Sequence, residues 1–445
     1  MKPRVAIVGS GISGLAAAHR LTHHADITLF EAGPYFGGHT NTVDVTLPGA
    51  DGRPVTHGVD TGFLVFNERT YPGLIALFAE LGVTTAKSDM SFSVQAKGVL
   101  GAQALEWSGS NLDTVFAQRR NLVRPRFWRM LADLLRFNRR ATALARSGAD
   151  AALAQPLGDW LETEGFGAEF REGYLLPMLG CIWSCPTAQM LRFPVATMIR
   201  FCHNHGLLQI TQRPQWWTVA GGARHYVQAI VRGLRDARVA TPVLRIERHP
   251  AQPRGGVRIH TASGSEVFDR LVLATHSDQA LALLAEPSAD ERALLGAIGY
   301  QRNEAVLHTD TSVLPQRRRA WAAWNYERAA DEGTERGRVC LHYLLNRLQP
   351  LPFAQPVIVS LNPVRPIDPS QVLRRMDYAH PVFDLAAIAA QRRLQTLQGH
   401  NHTWFAGAWL GYGFHEDGLQ SGLAAARSLL AAERERPEAA RAEAA

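Results

Sequence analysis

The stretch RVAIVGSGISG at residues 4–14 joins a short apolar run to three glycines spaced as GxGxxG. The apolar run predicts a strand that is buried on both faces, and the alanine-rich LAAAHRLTHH at 15–24 predicts a helix packed closely on a sheet. A second apolar run, ITLFE at 27–31, predicts another strand. The first 31 residues therefore predict a βαβ unit, which is the opening of a Rossmann-like α/β domain.

The glycine turn has the spacing of a dinucleotide-binding site. In such a turn the first glycine permits a tight bend, the second lets the backbone approach a pyrophosphate, and the third lets helix and strand pack closely. Glu31 ends the second strand, where its carboxylate can accept hydrogen bonds from ribose hydroxyls and disfavours the 2′-phosphate of NADP. The turn residues expected to contact the cofactor, NAD or FAD, are Gly9, Ser10, Gly11, Ser13 and Gly14.

Several further motifs resemble one known family. They are GGHTNT at 37–42, GVDTGFLVFN at 58–67, AAWNY at 322–326, HPVFD at 380–384 and GFHEDG at 413–418. Together with the glycine turn they resemble the superfamily of flavin-containing amine oxidases, phytoene desaturases and protoporphyrinogen oxidases. Within it the chain is similar to a bacterial group described as NAD/FAD-binding amine-oxidase-like proteins.

The resemblance implies FAD as the cofactor. The family pattern usually has an arginine after the two glycines, where this chain has His39, and Thr40 or Thr42 is expected to take over part of that role. A strand ending in FAG, a glycine-rich turn and a helix beginning near Gly418 resemble the C-terminal flavin motif, in which Glu416 or Asp417 caps the helix or binds the ribityl chain. Beyond the glycine turn, the implied cofactor residues are Glu31, Gly37, Gly38, His39, Thr40, Gly62, Phe63, Val243, Ala274, Gly407, Gly413, Phe414, His415, Glu416 and Asp417.

The predicted domains alternate along the chain. A discontinuous FAD-binding domain is expected at residues 1–88, 215–290 and 396–431, an inserted α+β substrate domain at 89–214 and 291–395, and a disordered tail at 432–445. The chain has a single dinucleotide fingerprint, whereas a flavoprotein fed by NAD(P)H is expected to show two. We therefore expect the flavin to take a hydride from an organic substrate.

The scarcity of lysine bears on the reaction. Amine oxidases of this superfamily generally place a lysine near flavin N5, but the three lysines here are Lys2, Lys87 and Lys97. This favours desaturase-like chemistry on an apolar substrate, such as a lipid or fatty-acyl chain. A peroxide-producing flavin amine oxidase and a non-enzymatic flavin-binding partner of a lipid-modifying enzyme remain alternatives. The candidate catalytic residues are His308, Asn325 and His415, and each has a purely structural interpretation as well.

Other features limit the ligands and partners. His415, Glu416 and Asp417 are adjacent, so their side chains diverge, and the four cysteines lack a zinc-site spacing; we expect no metal. The net charge of +7 comes with no nucleic-acid-binding motif, so we expect no nucleic-acid partner. Residues 119–146 predict a basic amphipathic helix that either packs on the core or lies on anionic lipid. Without a signal peptide or apolar span, we expect a cytoplasmic protein, with peripheral contact to the inner face of the membrane as the open alternative. The oligomeric state stays undetermined.

Overall fold

The structure is a computed structural model that describes residues 2–147, 155–183, 187–209, 213–248, 256–328 and 339–435. Cys185, residues 329–338 and the part of the predicted tail beyond residue 435 lie outside these ranges. Within them, no helix combines the length and the apolar character that a bilayer span requires.

The described residues form twenty strands. In chain order they are β1 (Arg4–Val8), β2 (Asp26–Phe30), β3 (Thr42–Pro48), β4 (Pro54–Asp60), β5 (Phe66–Asn67), β6 (Thr85–Ser88), β7 (Phe92–Ala96), β8 (Leu105–Ser108), β9 (Trp216–Val219), β10 (Asp236–Arg238), β11 (Val243–Arg248), β12 (Val257–Thr261), β13 (Gly264–Phe268), β14 (Arg270–Leu273), β15 (Gly299–His308), β16 (Trp324–Glu327), β17 (Cys340–Leu344), β18 (Ile358–Leu361), β19 (Val372–Val382) and β20 (Thr403–Phe405).

Fifteen α-helices accompany these strands in the described ranges, together with short 3₁₀ turns. They are α1 (Ile12–Leu21), α2 (Pro72–Glu80), α3 (Leu112–Val115), α4 (Pro125–Ser147), α5 (Leu157–Thr163), α6 (Ala168–Phe170), α7 (Leu176–Trp183), α8 (Thr187–Met190), α9 (Val195–Asn204), α10 (Arg224–Arg232), α11 (Ser277–Leu283), α12 (Ala289–Leu295), α13 (Leu345–Leu348), α14 (Leu385–Arg393) and α15 (His415–Glu435).

A five-stranded parallel sheet carries the predicted dinucleotide fold. Its order is β10-β2-β1-β14-β20, and all four strand pairs are parallel. The central strand β1 is buried from Val5 onward, as expected for a strand covered on both faces. The Rossmann-like fold class predicted from residues 4–31 is confirmed.

A second, seven-stranded mixed sheet has the order β19-β15-β18-β17-β16-β7-β8. All its strands come from residues 89–214 and 291–395, whereas the parallel sheet draws its strands from 1–88, 215–290 and 396–431. The domain boundaries themselves stay a prediction. One segment departs from the simple division, because Ala387 and Ala390 of α14 pack into the apolar core around Phe30 and Ile246, beside the parallel sheet.

Two close backbone contacts hold α1 on the parallel sheet, one with the turn that precedes it and one with α15. A Cβ atom on Gly14 would lie 1.9 Å from the carbonyl oxygen of Gly9, and one on Gly422 would lie 2.1 Å from that of Ser13. Neither backbone oxygen has room for a methyl group, so both positions require glycine for steric reasons. These contacts fix the start of α1 between β1, β14 and α15.

Two peripheral predictions have different outcomes. The basic amphipathic helix predicted at residues 119–146 is confirmed from Pro125 onward as α4, with Phe127 buried and Leu131 and Leu134 packed against the core, whereas Arg119–Val123 forms a 3₁₀ helix. The predicted disordered tail is wrong at its start, because residues 432–435 continue α15.

Candidate functional site

A large cavity lies between the carboxyl ends of the parallel strands and the seven-stranded sheet. Its volume is about 1030 Å³, at the upper end of the range of about 300–1,000 Å³ typical of ligand sites. Most of the predicted cofactor residues line it: Gly9, Ser10, Gly11, Ser13, Glu31, Gly37, Gly38, His39, Gly62, Phe63, Val243, Ala274, Gly407, Gly413, Phe414 and His415. The sequence motifs from both ends of the chain therefore meet in one place.

The glycine turn presents backbone donors to this cavity. Gly9 has a φ of +100°, which favours glycine, and its N–H donates to the Phe30 carbonyl at 2.8 Å. Helix α1 has no side-chain cap at its start, which leaves its first N–H groups available to an anionic ligand. Gly14 does not line the cavity; its role is the close packing on Gly9.

Glu31 is held in place before any ligand binds. Its carboxylate accepts hydrogen bonds from the Ser10 N–H at 3.0 Å, the Ser10 hydroxyl at 2.5 Å and the Gly33 N–H at 2.7 Å. The Ser10 hydroxyl in turn accepts one from the Gly37 N–H at 3.1 Å. A carboxylate has about four acceptor positions, so Glu31 keeps capacity for ribose hydroxyls. This network links both glycine-rich segments to the acidic residue.

Histidines replace the missing arginine near the glycine turn. His39 stacks on Tyr378, with ring centroids 5.1 Å apart, and lies 5.2 Å from His380 and 6.2 Å from His276. Burial, followed by the neighbouring histidines, lowers the pKa of His39 well below 6.5, and burial lowers that of His380 to about 4. These rings are therefore neutral at pH 7. Among the described lining residues, Arg302 supplies the permanent positive charge.

One atom of this cluster lacks a partner. The Nε2 atom of His39 is buried and makes no hydrogen bond, an arrangement that costs about 1–3 kcal/mol. A Cβ atom on the neighbouring Gly38 would lie 3.2 Å from the Cα of Gly11. The loop that contains Gly38 and His39 therefore lies directly over the phosphate cradle, which is the part of the glycine turn expected to bind the cofactor's pyrophosphate. A polar cofactor bound against the glycine turn can supply the partner that His39 lacks.

His415 also lines the cavity and is held in a fixed orientation. Its ring stacks on Phe63, with centroids 3.9 Å apart and an interplanar angle of 12°. Its Nε2 atom lies 2.7 Å from the Tyr226 hydroxyl and 3.4 Å from the Thr40 hydroxyl. Burial lowers its pKa to about 3, so the imidazole is neutral at pH 7. Thr40 thus acts by orienting His415 and does not line the cavity itself.

The predicted roles of the two acidic residues in the C-terminal motif need correction. Glu416 accepts hydrogen bonds from the N–H groups of Gly73 and Leu74, both at 2.9 Å, and so caps the start of α2. Asp417 accepts one from the Phe414 N–H at 2.9 Å, which is the predicted capping of its own helix. That helix begins at His415, three residues before the expected start. Neither Glu416 nor Asp417 lines the cavity.

Part of the cavity wall, here called the apolar end, consists of apolar and aromatic side chains, contributed mostly by the two inserted segments. This apolar end comprises Met90, Ile182, Phe201, His205, Leu207, Trp216, Trp324 and Tyr343. His205 stacks on Phe201 at 3.9 Å, its Nδ1 atom lies 3.0 Å from the Phe201 carbonyl, and burial lowers its pKa to about 4. Among the described residues of the apolar end, none is charged at pH 7.

Two of the three candidate catalytic residues, His308 and Asn325, do not line the cavity, so their predicted catalytic role is wrong. His308 lies six residues beyond Arg302 on β15, about 20 Å along an extended strand. Its Nε2 atom contacts the Ser360 hydroxyl at 2.7 Å. Asn325 is buried and accepts hydrogen bonds from Ser93 and the Ala322 N–H. Because strand residues alternate between faces, Trp324 lines the cavity and Asn325 points away from it. Neither His308 nor Asn325 can contact a ligand in the cavity.

A polar cluster lies on the face of the seven-stranded sheet that points away from the cavity, and its members contact one another. Glu327, Cys340 and His342 are buried and close enough to share a metal ion. However, the Glu327 carboxylate lies 3.0 Å from His342 Nε2 and 2.7 Å from Arg365 Nε, and His342 Nδ1 lies 2.7 Å from the Ser360 hydroxyl. The arginine balances the carboxylate charge that would otherwise attract a cation. The absence of a metal stays a prediction.

Comparison with known proteins decides the class. The family model for flavin-containing amine oxidoreductases matches residues 12–318, well over half of the chain. The chain belongs to this family. It is an FAD-dependent oxidoreductase, in agreement with the cofactor and enzyme class predicted from its motifs. No curated protein sequence matches it.

Solved structures share the fold at low sequence identity. The flavoenzyme is similar to a CLA-producing fatty acid isomerase from P. acnes, with 17% identity over 98% of this chain and 99% of that one, and a TM-score of 0.64. It is also similar to cyclohexylamine oxidase from Brevibacterium oxydans IH-35A, with 18% identity over 98% and 100% of the chains and a TM-score of 0.66. At this identity the likeness establishes the fold alone.

Sequence reasoning missed His276, Arg302, Tyr378 and His380 as parts of the cavity wall. His276 carried a usable signal, since it follows a buried parallel strand, and ligands bind at the carboxyl ends of such strands. Arg302, Tyr378 and His380 lie on paired strands β15 and β19, and their spacing gave no indication that this edge covers the glycine turn.

Two glycine substitutions separate packing from cofactor binding. Gly14→Ala should destabilise the flavin-free protein by about 2 kcal/mol, because the methyl group meets a backbone carbonyl. Gly11→Ala meets no atom within 4 Å, so it should leave flavin-free stability unchanged and reduce FAD affinity by filling the cradle. Urea unfolding and FAD titration measure both quantities. Equal losses of stability in the two variants would contradict this assignment.

His39→Phe tests the unpartnered nitrogen. The phenyl ring keeps the stacking on Tyr378 and removes both ring nitrogens, the unpartnered Nε2 and the one that bonds the Ala379 backbone. The two effects oppose each other, so the stability of the flavin-free protein should change little. FAD affinity should fall roughly tenfold, because the cofactor loses a hydrogen-bond partner. Fluorescence titration with FAD measures this change, and an unchanged dissociation constant would contradict a contact between His39 and the cofactor.

The lowered pKa of His205 predicts a pH dependence of stability. The unfolded chain binds a proton at this residue below about pH 6.5, whereas the folded protein excludes it until about pH 4. As the pH falls from about 6.5 to about 4, the contribution of His205 to the free energy of unfolding therefore decreases by about 1.4 kcal/mol per pH unit. His205→Phe should remove that loss.

The buried carboxyls of Asp60 and Asp417 act in the opposite direction, because burial raises the pKa of each to about 6. The informative quantity is therefore the difference between variant and parent, measured by urea unfolding from pH 7 to pH 4. The exposed His24 provides the control His24→Phe. A His205→Phe difference that stays constant with pH would show that His205 is not excluded from protonation.

Proposed function

We propose that this enzyme removes hydride from an apolar substrate, such as a lipid or fatty-acyl chain, in a desaturase-like reaction. The observation that carries the proposal is the composition of the apolar end of the cavity. Its described residues are aliphatic, aromatic or neutral imidazole, so a long hydrocarbon can be desolvated there without burying an unpaired charge.

The position of the lysines supports the same conclusion. Lys2, Lys87 and Lys97 are all exposed on the surface and do not line the cavity. The lysine that amine oxidases of the superfamily generally place near the flavin therefore has no counterpart in the cavity wall. Chemistry at a carbon–carbon bond needs alignment and a dry site more than a charged partner.

Each part of the cavity has a distinct role in this proposal. The glycine turn, Glu31 and His39 hold FAD, which when bound supplies the hydride acceptor. Met90, Ile182 and Leu207 exclude water and align the hydrocarbon. When a second hydrogen leaves as a proton, His415 is the candidate acceptor, because its neutral imidazole lines the cavity and is held in one orientation by Phe63 and Tyr226.

A flavin amine oxidase is the second candidate. Trp324 and Tyr343 lie perpendicular, with centroids 5.0 Å apart and an angle of 79°, and both line the cavity. Aromatic faces of this kind attract alkylammonium ions. The fold is also shared by cyclohexylamine oxidase. The candidates differ in whether the substrate brings a charge into the apolar end.

Anaerobic reduction of the bound flavin separates the two candidates. We expect extracted membrane lipid to bleach the flavin absorbance and one lipid species to lose two hydrogens by mass spectrometry. Putrescine and cyclohexylamine should leave the flavin oxidised. Bleaching by the amines alone, with peroxide formed on admission of air, would replace the proposal with the amine-oxidase alternative.

Leu207→Gln provides the matched test of the apolar end. A buried amide there should slow flavin reduction by lipid at least tenfold, while the FAD content stays that of the parent, because Leu207 lies outside the glycine turn. Leu385→Gln, on the exposed surface, serves as the control and should retain the parent rate. A Leu207→Gln enzyme with the parent rate would contradict hydrocarbon binding at this end.

A further inference from the structure

Exposed apolar side chains are concentrated in one region of the surface. Nine large hydrophobic residues are exposed in the described chain, and five of them fall between residues 112 and 135. They are Leu112, Leu122, Val123, Trp128 and Leu135, with relative exposures of 77%, 49%, 82%, 49% and 53%. Scattered exposed hydrophobics need no explanation, but a local concentration marks an interaction surface.

The same region carries an unusual share of the charge. Residues 112–147, here called the α3–α4 surface, contain nine arginines and two aspartates, a net charge of +7. The whole chain also has a net charge of +7. The rest of the protein is therefore neutral overall, and its entire excess of positive charge lies beside the exposed apolar residues.

The apolar residues are held together by local contacts. Trp128 and Leu135 are seven residues apart on α4, so they share one face of the helix. The indole N–H of Trp128 donates to the Leu122 carbonyl at 2.9 Å, which ties the turn containing Leu122 and Val123 to the start of α4. The opposite face of α4 packs into the core through Met130 and Phe137. The exposed stripe is thus a second apolar face.

Nearby carboxylates neutralise only part of the arginine charge. Arg126 and Arg129 share Glu169, and Arg140 pairs with Glu164. The pKa of Arg120 is lowered by burial and then by the neighbouring charges of Arg124 and Arg317, with Glu106 as its weaker opposing influence. Positive charges therefore crowd one another beside Leu122 and Val123.

We propose that the α3–α4 surface docks on an anionic lipid bilayer. Apolar side chains flanked by arginines match the boundary between acyl chains and phosphate headgroups, where both parts are satisfied together. A tryptophan whose ring is half exposed suits the same boundary. A nucleic acid would engage the arginines and leave the five apolar residues in water, so the lipid surface accounts for more of the observations.

The location also suits a substrate drawn from lipid, a link that rests on the proposed function. Helix α4 packs on α9, and Phe201 and His205, from α9 and the residue after it, line the apolar end of the cavity. A single helix layer thus separates the α3–α4 surface from the apolar end. Docking and hydrocarbon oxidation can nevertheless fail independently, because vesicle binding does not require turnover.

Vesicle sedimentation of the FAD-loaded protein tests the proposal. We expect binding to vesicles of equal parts phosphatidylglycerol and phosphatidylcholine, weakening as salt screens the charges, and no binding to phosphatidylcholine alone. Arg139→Gln with Arg146→Gln should weaken binding about fivefold per arginine. Leu122→Ser with Val123→Ser should also weaken it, because less apolar area enters the bilayer.

Matched controls lie elsewhere on the surface. The pairs Leu373→Ser with Leu385→Ser and Arg232→Gln with Arg392→Gln also change exposed positions, and they should retain the parent affinity and FAD content. The proposal is overturned by a lack of binding to the anionic vesicles, or by equal losses in the control pairs. It is also overturned if a short DNA duplex binds while the Leu122→Ser, Val123→Ser pair leaves all binding unchanged.

Discussion

The contact on which the rest of the site depends is the approach of Gly14 to the carbonyl of Gly9, backed by Gly422 against Ser13. These contacts seat α1 so that its first N–H groups face the cavity. A side chain at either glycine would push the helix away from β1 or α15 and displace the phosphate cradle with it. The Ser10, Glu31, Gly33 and Gly37 hydrogen bonds can form only when the turn is seated in this way.

Charge is handled differently at the two ends of the cavity. Near the glycine turn, backbone donors, Arg302 and a group of neutral histidines take the place of the arginine usual in the family pattern. At the other end the lining is apolar, and His205 is kept neutral by burial. This division suits an anionic dinucleotide on one side and, in the function proposed above, a hydrocarbon on the other.

The sequence could predict the short motifs of the site, whose conformation depends on their own residues. The glycine turn, Glu31 and the C-terminal flavin motif are short segments whose residue types determine their own backbone, and each lines the cavity or shapes it. Glu416 could not be assigned, because the helix that it caps lies over 340 residues away in the chain. The catalytic role predicted for Asn325 is wrong, because the motif does not indicate which face of the strand meets the ligand. The histidine cluster is assembled from positions 39, 276 and 380, and only tertiary structure brings these residues together.

In the proposed function, one cavity binds FAD against the glycine turn and a hydrocarbon in the apolar end. A crystal structure of the oxidised holoenzyme with a long-chain fatty acid tests it most directly. We expect dinucleotide density between Gly11 and Glu31, and acyl-chain density among Met90, Ile182 and Leu207. An apolar end filled with ordered water, or a flavin that does not contact Gly62 and Phe63, would contradict this arrangement of cofactor and substrate.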